Sequence, residues 1–300
     1  MNKQENNIIY SNKIEFEKKL ENFKKDWVEK MHILTDFDRT LTKAFVDWKS
    51  RPSLISVLRS EKILWEEYSR KAYEEYNFFH PIEIDINISL EEKKKQMTLW
   101  WEKHFNLLIE SKLKKDDIDR VINSWILFLR DWVWSFLNFT NKNNIPIIII
   151  SANALWWDSI SDYLKNKLLK LNNISIISNK FIWDKNRVAI GYEKPVIHVF
   201  NKDETVLEKF PEIHKKIEKR KNVLLLWDSL WDLHMIDWFN YNNLIKIWFL
   251  NEIPHPNPLL WEERGQKDLE LLEVYKENYD IVITWDWNFD IVNKIMKEIK

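Results

Sequence analysis

The 300-residue chain has no cysteine, which excludes disulfides, thiolate zinc sites and thiol catalysis. Glycine is almost absent, at 2 residues, where a chain of this length ordinarily carries about 20. No excess of either charge exists: 46 Lys and Arg face 47 Asp and Glu, a net of −1. A binder of nucleic acid polymers should show a strongly basic face, so none is expected as a partner, whereas a small anionic substrate is compatible with this balance. Long hydrophobic runs are also missing. The stretch from Ile145 to Ala152 is far short of the roughly 20 residues that span a bilayer. Met1 to Asn7 lacks the basic start and apolar core of a signal peptide. A cytoplasmic protein without a membrane partner is expected. At about 150 residues per domain the chain holds one or two domains, and it is long enough to bury a core without a metal or disulfide staple.

What is present is a series of short, continuous apolar runs: Ile33-Leu34-Thr35, Ile145 to Ile150, Ile174 to Ile177, Val196 to Phe200, Val223 to Leu226, Leu244 to Ile247 and Ile281 to Thr284. Continuous rather than alternating runs suit strands of a parallel sheet covered on both faces. Helical patterns lie between them, as at Ser159 to Leu171 and Asp290 to Ile299. The expectation is an α/β fold with a doubly wound, mainly parallel sheet. Residues 50 to 140 differ, being charged, aromatic and free of buried-strand runs, and Glu91 to Ile109 and Asp116 to Asn138 read as long amphipathic helices. This predicts a helical cap at 49–139 inserted after the first strand of a core formed by 1–48 and 140–300, with residues 1–27 as one N-terminal helix. The proline-rich segment from Ile253 to Pro258 reads as an exposed loop.

The strongest chemical signal is Leu34-Thr35-Asp36-Phe37-Asp38-Arg39-Thr40-Leu41-Thr42. Two aspartates at i and i+2 follow an apolar strand, and in open α/β sheets ligands bind beyond the carboxyl ends of strands. One carboxylate there can attack phosphorus as a nucleophile. The other can protonate the leaving alcohol and then activate water. Two close carboxylates repel, which a hard cation relieves, and Mg2+ takes one or two carboxylates together with phosphate oxygens. The plainer alternative for a lone Asp-x-Asp is a turn after a strand. Three further elements fall in order after later runs: Ser151, Lys202, and the pair Asp228 and Asp232. His198 and His234 lack metal-ligand spacing and read as structural.

This ordered set resembles the haloacid dehalogenase-like phosphatases, and within them the cytosolic 5′-nucleotidase III, or pyrimidine 5′-nucleotidase, family. Phe37 to Thr42, His80 to Asp85, Met97 to Trp101, Ile197 to Lys202 and Asp228 to Met235 are the segments that carry the likeness. The resemblance implies Asp36 as nucleophile and Mg2+ ligand, and Asp38 as general acid and base with a carbonyl on the metal. It further implies that Asp228 and Asp232 complete the metal site, while Ser151, the Ala152 backbone and Lys202 hold phosphate. In the cap it implies Glu83 on the base edge and Trp101 stacked on the base, an interaction worth about 1–3 kcal/mol. The implied reaction is hydrolysis of a nucleoside 5′-monophosphate. Hydrolysis of another small phosphomonoester, or an inactive nucleotide-binding role, are the alternatives.

The 18 tryptophans are as abnormal as the missing glycines, and the two types together make 20, near an ordinary glycine count. By the resemblance, Trp132, Trp227, Trp231, Trp238 and Trp248 stand where the family has glycine. One reading is genuine enrichment in tryptophan. The other is a gene in which UGA encodes glycine, as in some bacterial lineages, translated with UGA as tryptophan. The expectation is the second, with UGA at codon 227.

Overall fold

The computed structural model describes residues 7–300 except 48, 52, 62, 86, 124–127, 153–159, 161–162, 165–171, 203–208, 230–235, 237–238, 252–276 and 285. Its centre is a seven-stranded sheet. The strands are β1 (Ile8–Tyr10), β2 (Met31–Thr35), β5 (Ile147–Ile150), β6 (Ile174–Ile177), β9 (Asn222–Trp227), β10 (Asn243–Leu250) and β11 (Ile281–Thr284). They lie in the order β1-β11-β10-β9-β2-β5-β6, all parallel except the β1 edge, which runs antiparallel to β11.

The continuous apolar runs follow from burial on both faces. Alternate side chains of each strand enter different cores. Ile33, Ile147, Ile149, Leu224, Leu226 and Ile247 join one cluster, and Leu34, Ile148, Ile150, Val223, Leu225 and Trp227 join the other. The first cluster is closed by α1 (Lys13–Asp26), α6 (Val133–Lys142) and α8 (Asp290–Ile299), which bury Phe16, Leu20 and Phe23, Phe136 and Leu137, and Ile295 and Met296 respectively.

The region after β2 carries two short strands, β3 (Phe45–Val46) and β4 (Lys49–Ser50), and the helices α2 (Leu54–Ser60), α3 (Glu66–Ile84), α4 (Leu90–Glu110) and α5 (Lys115–Asn123). Ser89 caps α4 by accepting from the Glu92 amide. The chain leaves and re-enters the core side by side. Lys43 N donates to Phe128 O, Arg130 N donates to Leu41 O, and Thr42 bridges Leu129. A hairpin, β7 (Phe181–Trp183) and β8 (Ala189–Tyr192), packs Phe181 and Tyr192 on Phe105 of α4.

Four sequence expectations differ from the structure. Asp116 to Asn138 is two helices, because the chain must cross back at 128–130 and Trp132 turns left-handed before α6. The expected cap boundary at 139 falls within α6, whose Phe136 packs on Phe289 and whose cap residue Trp132 accepts from Asn293 of α8. The N-terminal segment holds β1 as well as α1. Val196 to Phe200 forms no strand and runs as a loop. Most of Ser159 to Leu171, the segment 253–258, Trp231, Asp232, His234 and Trp238 lie outside the described residues. Among the described residues no helix is long and apolar enough to cross a membrane.

Candidate active site

β2 lies between β5 and β9 and precedes both in sequence, so the winding direction of the sheet reverses there. Such a switch point opens a crevice beyond the strand ends. Asp36 follows β2, Asp228 follows β9 and Ser151 follows β5. The sheet extends past Thr35, since Asp36 N donates to Leu226 O at 3.2 Å. Ser151 N likewise donates to Ile177 O. Asp36 is 7% exposed and Lys202 6%, and Lys202 Nζ stands 3.1 Å from Asp36 Oδ1. Two residues 166 apart in sequence are thereby joined in a buried ion pair. Burying either charge alone would be costly, so each requires the other.

The turn after Asp36 is stapled from within. Leu41 N, Thr42 N and Thr42 Oγ1 all donate to Phe37 O, and Arg39 N donates to Thr42 Oγ1. From outside it is held by Arg130, which is fully buried and sits at the second crossing between cap and core. Its guanidinium donates to Thr40 O, Arg39 O, Trp287 O and Asn251 Oδ1 and pairs with Asp286 at 2.6 Å. Asp286 also accepts from the amides of Ala44 and Phe45 at the first crossing. Asn251 Nδ2 donates to Arg39 O and lies 3.4 Å from Asp228 Oδ2. Burial pulls the Arg130 pKa down to about 10, opposed chiefly by Asp286, so the group stays charged at neutral pH. Sequence reading missed this network. A single arginine among 46 basic residues carries no local signature, and its partners come from three separate segments.

Lys202 reaches Asp36 from the loop at 196–202, which has no sheet ladder and instead satisfies its backbone through side chains. Asn179 accepts from Ile197 N at 2.7 Å and donates to Ile197 O at 2.9 Å and Ala152 O at 3.3 Å. It thus ties the segment holding Ser151 and Ala152 to the one delivering Lys202. Asn201 accepts from His198 N and donates to Val196 O. The apolar residues that mimic a strand have another destination: Phe200 is buried with Phe79 of α3 and Met97 of α4, flanked by Val199 and Trp100.

In the segment expected to form the cap, Glu83 near the end of α3 pairs with His80 at 3.0 Å, and His80 stacks on Tyr76. Trp100 stacks on Phe79 and on Trp101, while Trp101 packs on Phe105 and against the main core. The two tryptophans therefore divide, with Trp101 toward the core and Trp100 in the cluster that Phe200 enters. A separate cavity of about 490 Å3 lies between the segments that flank the β7–β8 hairpin, 178–180 and 193–197, and the start of α7 (Pro211–Ile217), and apart from Asn179 and Ile197 its lining contains no group named above as part of the site.

Of the expected metal ligands Asp36, Asp38, Asp228 and Asp232, the last lies outside the described residues. Among the described residues no three acidic or histidine side chains gather as a metal cluster. The donor set nevertheless fits Mg2+. It offers oxygen ligands alone, with Asp36 and Asp228 at the ends of adjacent strands, and Mg2+ takes one or two carboxylates and completes its shell with water and phosphate oxygen.

Residues 39–300 match the family model described as pyrimidine 5′-nucleotidase (UMPH-1), a match that begins immediately after Asp38. The 7-methylguanosine phosphate-specific 5′-nucleotidase A of Xenopus laevis is 32% identical over 270 residues, covering 90% of this chain and 87% of the relative. The 7-methylguanosine phosphate-specific 5′-nucleotidase of Homo sapiens is 31% identical over 272 residues, covering 90% and 85%. The crystal structure of cytosolic 5′-nucleotidase IIIB bound to cytidine is similar in fold, with a TM-score of 0.80 at 25% identity over 98% of this chain and 93% of that one. With its mainly parallel sheet, the chain belongs to the pyrimidine 5′-nucleotidase (UMPH-1) family and is a phosphoric monoester hydrolase of the 5′-nucleotidase type.

Proposed function

We propose that the chain is a Mg2+-dependent enzyme that hydrolyses nucleoside 5′-monophosphates through an aspartyl-phosphate on Asp36. The observation that carries this reading is the buried Asp36–Lys202 pair, 3.1 Å apart, at the point where the sheet reverses. A carboxylate held by one buried cation can exchange that partner for a phosphate group without leaving either charge alone. An oxygen of Asp36 attacks phosphorus as the ester bond breaks, and Asp38 gives its proton to the departing 5′-oxygen. Asp38 then takes a proton from water attacking the phospho-enzyme, which releases phosphate and restores Asp36. Lys202, Ser151 and the Ala152 backbone hold the phosphoryl oxygens. Asp36, the Asp38 carbonyl, Asp228 and Asp232 would hold Mg2+, whose charge offsets that of phosphate and carboxylates when bound.

The segment between the crossings near residues 43 and 129 serves as the cap, and its closure would shield the site from water. Glu83 and the Trp100–Trp101 stack are assigned to the base. Cytidine bound to the similar structure and the 7-methylguanosine phosphate specificity of the relatives name the first substrates to try. The test is phosphate release from CMP, UMP, 7-methylguanosine monophosphate, AMP, a sugar phosphate and phosphoserine, each with Mg2+ or with EDTA. Preference for a nucleoside monophosphate, lost with EDTA and in Asp36→Asn, is expected. Equal rates on sugar phosphate, or turnover by Asp36→Asn, would contradict the reading. Binding without turnover would favour an inactive nucleotide-binding role.

A further inference from the structure

We infer that His198 and Thr98 form a latch through which a base resting on the cap helix α4 adjusts the position of Lys202. This inference rests on the assignment of Lys202 to phosphate and goes beyond it. His198 is fully buried in the 196–202 loop. Its Nδ1 accepts from Phe200 N at 3.2 Å, which leaves the proton on Nε2. Nε2 lies 3.0 Å from Thr98 Oγ1 on α4, and that hydroxyl donates its own hydrogen to Lys94 O at 2.9 Å. Thr98 can therefore only accept, and His198 only donate, so the direction of the bond is fixed. Two side chains beyond the bond reinforce the seam: Phe200 inserts beside Phe79 and Met97, and Lys93 Nζ lies 5.5 Å from the Phe200 ring. His198 lies four positions before Lys202, and Thr98 two positions before Trp100. A displacement of α4 by a base resting on that stack would thus be passed through one hydrogen bond to the loop that carries the phosphate-facing amine. His198 and Thr98 are positioning residues; neither is placed in contact with substrate.

The test compares a substrate that reaches the cap with one that does not. Thr98→Val removes the acceptor and keeps the shape. Its kcat on the preferred nucleoside monophosphate should fall about five- to tenfold, the scale of one hydrogen bond. Its rate on p-nitrophenyl phosphate should stay within about twofold. His198→Gln, which can place a donor near the former Nε2, should recover more nucleotide turnover than His198→Leu. Equal losses on both substrates, or no loss on either, would overturn the latch. Asp36→Asn separates the two claims. If that variant is inactive on both substrates while Thr98→Val matches wild type, the latch alone fails; if it remains active, the reaction assignment fails.

A second inference comes from the backbone. We infer that positions 27 and 132 are glycine in the functional protein. Trp27 has φ 57 and ψ −179, a region essentially reserved for glycine. Trp132 has φ 72 and ψ 1, left-handed, before α6. Both side chains are largely exposed, so packing does not offset the strain. The described glycine, Gly191, lies in β8 without positive φ. Trp227 precedes Asp228 fully buried, and its indole Nε1 has no partner among the described residues. Trp248 sits in β10 stacked on Tyr279, and neither its backbone nor that of Trp227 takes a positive φ. The gene should show UGA at codons 27, 132 and 227, and peptides from the native protein should carry glycine masses there. UGG codons with tryptophan-bearing peptides would overturn this. The latch comparison holds in either chain, because each variant is compared within one background.

Discussion

The core side and the cap side of the proposed site are built by different means. On the core side, Asp36, Ser151 and Asp228 sit where adjacent strands end, and topology alone brings them together. The turn after Asp36 is then fixed by hydrogen bonds to Phe37 O and by Arg130. On the cap side, Glu83, Trp100 and Trp101 lie on helices whose contacts are ring stacking and a half-exposed pair with His80. The difference teaches where tolerance should lie. Under the proposed assignment, phosphate chemistry would depend on groups that cannot move without breaking buried charge pairs, whereas base recognition would depend on a surface that can be repacked.

The sharpest way to break this contrast is Asp36→Asn, which should lower phosphate release about 10³-fold or more on every substrate. Arg130→Met should come next, destabilising the fold by about 3–5 kcal/mol in urea unfolding, because it leaves the largely covered Asp286 carboxylate without its charge partner. An effect near zero would mean that the crossing is held by other contacts. Lys202→Met should reduce kcat/KM about 10²-fold across substrates, since a charge aimed at the reacting group is removed. A loss confined to nucleotides would move Lys202 from the phosphate to the base.

Glu83→Ala probes the opposite side. It should change the ratio of kcat/KM between bases by about tenfold, the scale of one charged hydrogen bond, and leave p-nitrophenyl phosphate nearly unaffected. A pH effect on stability concerns neither side. His32 is fully buried in β2, donates to Arg220 O at 2.7 Å, and burial lowers its pKa from 6.5 to about 3. The unfolded chain therefore binds the extra proton first as pH falls. Stability should drop between about pH 6.5 and 3, by up to about 1.4 kcal/mol per pH unit from this group, and be insensitive to it above that window. Unfolding curves of wild type and His32→Gln between pH 4 and 7 would show the slope or its absence.

The sequence revealed the strands because both faces of each are covered, so burial leaves continuous runs at Ile147 to Ile150 and Val223 to Leu226. The aspartate motif was legible for the same reason: it directly follows such a run. Val196 to Phe200 misled because its apolar residues serve cap docking, while Asn179 and Asn201 replace the ladder bonds. The break between α5 and α6 was hidden because the return crossing is paired to residues some 85 positions earlier, at Thr42 and Leu129. Arg130 and the His198–Thr98 bond were illegible in principle, since each joins segments about 90 to 160 residues apart. The tryptophan anomaly was visible as composition and the resemblance already marked position 132, but only the backbone angles add position 27.

The central claim is a transient bond between Asp36 and phosphorus. Acid quenching of the enzyme during turnover of its best nucleoside monophosphate, followed by borohydride reduction and peptide mass mapping, tests it directly. Reduction at residue 36 alone, dependent on substrate and absent from Asp36→Asn, is the predicted result. A phosphoryl group trapped on another residue, or steady turnover with none trapped on residue 36, would contradict it.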